Sequence, residues 1–215
     1  ADAHIMETPT WLRDHADPGV RDRIAPLRYP GGNELRQTGE VAEQQRDLIA
    51  AFDRLAERHR SEPYREVEAD EIMARKNFAA TGSFIADHRP RALDLLGFSS
   101  QLLFNTFDSG YINALEHGDD VDLAYGVARA HNRAMVAFTS VDPRLLATCY
   151  VPLADFAQAR AMAAEAVESG AAALLVPSNC PKGHSPSHVE LDPVWAIAAE
   201  AGIPVVFHVG GGGTL

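Results

Sequence analysis

Four side chains at the two ends of the sequence have the chemistry of metal ligands. Asp2, His4 and Glu7 lie close together at the start, and His208 ends an apolar run that begins at Ile203. Residues two apart on an extended strand point to the same side, so Asp2 and His4 could bind one ion together. Glu7 could reach the same point from the turn that follows. Carboxylate and imidazole ligands in combination suit Zn²⁺, Mn²⁺ or Fe²⁺.

These ligands meet only in a fold that brings distant strand ends together. From residue 97 onward, short apolar strands alternate with amphipathic helices, which predicts parallel strands joined by right-handed crossovers. The predicted strands cover 101–104, 145–151, 172–176 and 203–208, and the predicted helices cover 121–138, 156–169 and 192–201. The alternation fits a closed (β/α)8 barrel or an open doubly wound sheet. In a barrel all strand ends face one mouth, where His208 and the first strand would meet.

The segment between the first predicted strand and residue 97 is helical. Apolar residues at steps of three and four predict one helix over 34–60, a second over 70–84 and a short one over 90–96. A helical insertion of about 34–96 is more than a barrel needs. It could cover the mouth as a lid or pack against a second subunit, and we expect a homodimer.

Composition excludes several classes of partner. The formal net charge is -11 and the pI is near 5.2, which argues against nucleic acid or an anionic membrane surface as a ligand. No apolar stretch is long enough to span a bilayer. Two cysteines, Cys149 and Cys180, indicate a reducing compartment without a disulfide framework. We therefore expect a cytoplasmic protein that binds a small-molecule substrate.

Polar residues after the predicted strands are candidates for substrate binding. Asn105 follows one strand, and Ser178 and His184 lie in the loop after another, where α/β folds place functional loops. The even spacing of Cys180, His184 and His188 suggests structural zinc, but prolines and a glycine intervene and a fourth ligand is missing. The other histidines are interpreted as surface or packing residues: His15, His59, His88, His117 and His131.

Three stretches of the chain resemble one family. Residues 2–9, Asp-Ala-His-Ile-Met-Glu-Thr-Pro, are similar to the first-strand signature of the amidohydrolase-related (amidohydrolase 2) proteins, which include the aminocarboxymuconate-semialdehyde decarboxylase-like enzymes. Residues 193–208 resemble the helix and fifth strand of that group, and 89–98 are also similar to it. The group's first strand ends in His-x-His or in variants with an acidic first residue, as at Asp2.

The resemblance implies a metal-dependent TIM-like (β/α)8 barrel, of which this chain holds roughly the first five strands. It implies a single domain over 1–215, incomplete at both ends, and one divalent metal, Zn²⁺ or Mn²⁺, held by Asp2, His4 and His208. Glu7 would share or replace a ligand. The catalytic acid and base would lie beyond residue 215.

The ligand set leaves two activities open. A metal-dependent hydrolase would use the ion to activate water. A non-oxidative decarboxylase would use it to bind the substrate carboxylate. Both would act on a small carboxylated or cyclic organic compound. The alternative is a non-catalytic α/β ligand-binding domain without metal, in which Asp2, His4 and His208 do not converge.

Overall fold

Five parallel strands form the centre of the molecule. The computed structural model describes residues 3–29 and 41–208, with the backbone alone for 41–45. The strands are β1 (Ala3–His4), β2 (Gln101–Phe104), β3 (Leu145–Tyr150), β4 (Ala173–Val176) and β5 (Val205–Phe207). They pair in chain order, β1-β2-β3-β4-β5, and form half of a barrel. This confirms the predicted α/β fold.

Ten helices accompany the strands in the described part of the chain. Six lie between β1 and β2: α1 (Trp11–His15), α2 (Pro18–Arg21), α3 (Val41–Arg60), α4 (Glu62–Glu66), α5 (Glu68–Glu71) and α6 (Arg89–Leu96). The others follow β2, β3 and β4: α7 (Asp108–Glu116), α8 (Val121–Thr139), α9 (Phe156–Glu168) and α10 (Asp192–Ala201). None of them is long and apolar enough to cross a membrane.

The core lies between the sheet and the helices that cover it. Helix α8 packs against β3 and α1, because small residues such as Ala124, Ala128 and Ala134 are fully buried and allow a close approach. Helix α9 is capped by Asp155, whose carboxylate accepts a hydrogen bond from the Gln158 N–H at 2.8 Å. This packing fixes the carboxyl ends of the strands, where the candidate ligands lie.

The helical segment departs from the prediction over residues 70–84. Helix α3 confirms the predicted helix 34–60 from residue 41 onward, and residues 34–40 lie outside the described residues. The single helix expected over 70–84 is wrong, because the chain there forms α5, a 3₁₀ turn and bends. Asn77 has a positive φ of 51°, and Gly82 has a φ of +69°. A continuous right-handed helix cannot pass through either residue.

Helix α7 is a nine-residue element that the sequence reading missed. Its buried residues include Asp108, Asn113 and Glu116 beside the apolar Ile112. Polar side chains on the buried side remove the apolar periodicity from which a helix is predicted. Because α7 directly follows β2, its side chains lie close to the carboxyl end of the sheet.

Candidate active site

The structure brings His4 and His208 together from opposite ends of the sequence. His4 ends β1 and His208 follows β5, and their ring centroids lie 5.0 Å apart in an edge-on arrangement. The ring of Phe104 packs against both, at 5.9 Å from His4 and 5.0 Å from His208. Phe104 is the residue paired with His4 across β1 and β2. The register of β1 and β2 thus places His4 beside Phe104, and His208 completes a three-ring cluster at one end of the sheet.

His4 is fixed through its ring and its backbone. Its Nδ1 lies 2.6 Å from the carbonyl oxygen of Asn105. A carbonyl only accepts, so Nδ1 donates and the lone pair of the ring is on Nε2. The His4 carbonyl accepts from the buried guanidinium of Arg89 at 3.2 Å, whose pKa burial lowers to about 10. A histidine held in one tautomer by a backbone carbonyl is the usual arrangement of a metal ligand.

The expected set of three ligands is only partly described. Asp2 lies outside the described residues, and within 3–29 and 41–208 no group of three or more His, Cys, Asp or Glu side chains could hold a metal. The donor chemistry of His4 and His208 and their proximity fit a divalent ion. The ligand assignment of Asp2, His4 and His208 stays a prediction.

Glu7 has a different environment from the two histidines. Its side chain is fully buried, and its Oε1 accepts three backbone hydrogen bonds, from Thr106 at 2.9 Å, Phe107 at 2.9 Å and Asp108 at 3.1 Å. Burial and the neighbouring charge of Asp108 raise the pKa of Glu7 well above its usual value. Glu7 therefore organises the turn after β2, and its role as a ligand stays untested.

Asp108 connects this turn to α8. It is fully buried and accepts hydrogen bonds from the Asn105 side-chain amide and from His131 Nδ1, the latter at 2.7 Å. Burial would raise the pKa of Asp108, but the charge and hydrogen bond of His131 and the amide of Asn105 outweigh it and lower that pKa. The pKa values of the adjacent carboxyl groups of Glu7 and Asp108 are therefore shifted in opposite directions, upward for Glu7 and downward for Asp108.

The far end of α7 holds the loops after β3 and β4. Buried Glu116 accepts from the Leu153 N–H at 2.6 Å, and burial raises its pKa. Asn113 and Asn179 exchange side-chain hydrogen bonds at 2.9 and 3.2 Å. His117 Nε2 lies 2.9 Å from the Cys180 carbonyl. Helix α7 thus contacts the loops that follow β1, β2, β3 and β4.

The residues predicted to bind substrate lie in two settings. Asn105 is buried and donates to Asp108, so its amide belongs to the internal network of the turn. Ser178 is exposed. His184 is half-buried, and its ring contacts Phe156 at 4.5 Å and His188 at 5.8 Å. Substrate binding by Asn105, Ser178 and His184 stays a prediction.

Four polar residues of this region were not identified from the sequence: Asp108, Glu116, His117 and His131. They lie on α7 and α8 or at their ends, and three of them are fully buried. His117 and His131 were assigned to surface or packing roles. Polar residues directly after a strand, such as Asn105 and Thr106, are a helix-start signal that could have revealed α7.

Comparison with known proteins identifies the family. The model of the amidohydrolase family (amidohydrolase 2) matches residues 72–214. The chain therefore belongs to the amidohydrolase family. No curated protein matches the sequence.

A solved structure supports the fold independently. The crystal structure of an amidohydrolase from Mycobacterium avium subsp. paratuberculosis K-10 matches with a TM-score of 0.68 and 22% sequence identity. The match covers 98% of this chain and 58% of that chain, so the chain spans little more than half the length of this neighbour. At this identity the likeness shows the fold alone.

Proposed function

We propose that His4 and His208, together with Asp2, bind one divalent metal ion at the carboxyl end of the sheet. One observation carries the proposal, the 5.0 Å separation of the His4 and His208 rings at the ends of β1 and β5. Zn²⁺ or Mn²⁺ is the expected ion, because imidazole and carboxylate ligands suit both. The hydrogen bond from His4 to Asn105 supports the proposal, since it sets the tautomer that a ligand needs.

The ion would supply Lewis acidity, which lowers the pKa of a water molecule or neutralises a substrate carboxylate. The residues of the chain orient and shield that centre. Asn105 and Arg89 hold His4 in place, and the ring of Phe104 packs against both imidazole rings.

The proposed reaction is cleavage of a carbon–nitrogen or carbon–carbon bond in a small carboxylated or cyclic organic compound. Membership of the amidohydrolase family supports a hydrolase. The resemblance of residues 2–9 to a group that includes decarboxylase-like enzymes supports non-oxidative decarboxylation as the second candidate. Release of labelled CO₂ from a carboxyl-labelled substrate would indicate decarboxylation. Incorporation of ¹⁸O from labelled water into the product would indicate hydrolysis.

Metal content of the purified protein tests the proposal. We expect about one Zn or Mn per chain in the wild type and a large loss in His208→Ala. His15→Ala is the matched control, because His15 lies on α1 and its ring contacts Trp11 at 6.4 Å. Absence of metal in all three proteins, with no activity on adding metal, would leave the non-catalytic ligand-binding domain. Sedimentation velocity on the same samples would test the expected homodimer.

A further inference from the structure

The turn between β2 and α7 is built around the side chain of Glu7. Three consecutive backbone N–H groups, those of Thr106, Phe107 and Asp108, point at the single oxygen Oε1. These groups open α7, where the first N–H groups have no partner within the helix. A fully buried carboxyl from another strand satisfies them, and it therefore fixes the path of the chain as it leaves β2.

The second oxygen of Glu7 faces the same turn. Oε2 is buried and has no hydrogen-bond partner among the described residues, and the side chain of Asp108 is the neighbour of the Glu7 carboxyl group. Asp108 in turn accepts from Asn105 and His131. The turn is thus held from inside by Glu7 and from α8 by His131.

The same turn holds His4. The carbonyl of Asn105 accepts from His4 Nδ1 at 2.6 Å, and the Thr106 hydroxyl donates to the carbonyl of Ile5 at 2.6 Å. Both contacts are made by residues that adjoin the N–H groups bound by Glu7. A shift of the turn would move the carbonyl that sets the tautomer of His4.

We propose that Glu7 is a positioning residue and not a metal ligand: it holds the 105–108 turn so that the Asn105 carbonyl keeps the proton of His4 on Nδ1. Oε1 accepts three N–H groups, which directs its lone pairs into the turn and away from an ion. As far as it concerns a bound ion, the inference rests on the proposed function. The tautomer of His4 is a property of the metal-free protein.

Glu7→Gln separates a positioning residue from a ligand. The glutamine carbonyl can accept the same three N–H groups, and its amide can donate to Asp108. The negative charge that a ligand would contribute is lost. Glu7→Met has a similar volume but accepts no hydrogen bond, so it removes the positioning contact.

The test combines ¹⁵N NMR of the histidine rings in metal-free protein with Zn²⁺ titration against a chromogenic chelator. The His4 signals are assigned by their loss in His4→Asn. We expect wild type and Glu7→Gln to keep the proton on Nδ1 and to bind Zn²⁺ with affinities within about threefold of each other, less than the loss expected when an outer contact of a ligand is removed. Glu7→Met should give mixed tautomers and bind Zn²⁺ roughly 10–100-fold more weakly, as expected for an outer contact of a ligand.

Two results would overturn the inference. A loss of Zn²⁺ binding in Glu7→Gln as large as that in His208→Ala would make Glu7 a ligand. An unchanged His4 tautomer in folded Glu7→Met would remove its positioning role. If Glu7→Met does not fold, Glu7→Gln still decides between ligand and positioning residue. If the wild type binds no Zn²⁺, the proposed function fails, and the tautomers of wild type and Glu7→Met still decide the inference.

Discussion

Two loops at the carboxyl end of the sheet are secured in opposite ways. The turn 105–108 is held from inside by the fully buried carboxyl groups of Glu7 and Asp108. The loop 177–188 is held at the surface, where His117 and Lys182 contact backbone carbonyl groups. Removal of a buried acceptor leaves its donors without water to replace it, whereas surface donors and acceptors can turn to solvent. We therefore expect the turn 105–108 to be rigid, with substitutions that lower the stability of the protein strongly. We expect the contacts of the loop 177–188 to open at a lower cost in free energy.

The difference matches the position of each loop. The turn 105–108 contacts His4, a candidate ligand that requires a fixed orientation. The loop 177–188 carries Ser178 and His184, which are candidates for contact with substrate. A loop that meets varied or entering substrates gains from contacts that can open at low cost.

The largest expected effect is that of Asp108→Ala. The substitution leaves the Asn105 amide and His131 Nδ1 as buried donors without an acceptor, and we expect a loss of about 3–5 kcal/mol in the free energy of unfolding. Urea denaturation measures it. Asp142→Ala is the control, because the Asp142 carboxylate also accepts hydrogen bonds from another side chain, that of Arg144, but in a partly exposed position. Equal losses in the two variants would contradict the contrast between buried and exposed groups.

Gly82→Ala should have the next largest effect. A Cβ at Gly82 would lie 2.5 Å from the Cα of Arg89, the residue that binds the His4 carbonyl. Gly97 has nearly the same φ, +70° against +69°, but no atom within 4 Å of a Cβ. We expect about 1–2 kcal/mol of destabilisation for Gly97→Ala from the left-handed backbone alone. Gly82→Ala should lose at least about 1–3 kcal/mol more from the clash.

Thermal or urea unfolding of the two alanine variants measures that difference directly. Similar losses would show that the backbone at 82 moves away from Arg89 without cost. In that case the segment before α6 does not help to hold His4.

The sequence predicts the strands of this end of the molecule better than the contacts between them. The apolar run that ends in His208 correctly places this histidine at a strand end, because a parallel strand that is buried on both faces is rich in apolar residues. That the two rings lie 5.0 Å apart depends on the order and register of five strands. The resemblance of residues 2–9 and 193–208 to one family supplied that step.

The network around Glu7 could not be predicted in the same way. Glu7 caps a helix that begins about a hundred residues later, at Asp108, and no local pattern links the two. The hydrogen bond of His131 could not be predicted either, because its partner, Asp108, lies on another helix. Sequence patterns report local periodicity, whereas these contacts arise only when β1, α7 and α8 are packed together.

The smallest expected effect is a pH-dependent loosening of the 177–188 loop. His117 faces two carbonyl oxygens, Asn113 at 2.8 Å from Nδ1 and Cys180 at 2.9 Å from Nε2. Only the protonated ring can donate to both. Burial and Lys182 lower the pKa of His117, but the two carbonyl groups and the charge of Glu116 outweigh them and raise it above its usual 6.5.

Because the folded-state pKa is raised, the stabilisation by His117 is complete below about pH 6.5 and is lost as pH rises through the higher folded-state value. The neutral ring can then accept from the Asn179 amide, which lies 3.3 Å from Nε2. The loop therefore loses one hydrogen bond and stays attached.

Hydrogen exchange of residues 177–188 across this pH range, expressed as protection factors, measures the effect. We expect protection to fall roughly twofold to tenfold as pH rises, the equivalent of one net hydrogen bond. In His117→Gln the loop should show lower protection that does not depend on pH. The protection of the turn 105–108 should not depend on pH in either protein. A pH-dependent loss that persists in His117→Gln would assign the adjustable contact to another group and remove His117 from the comparison.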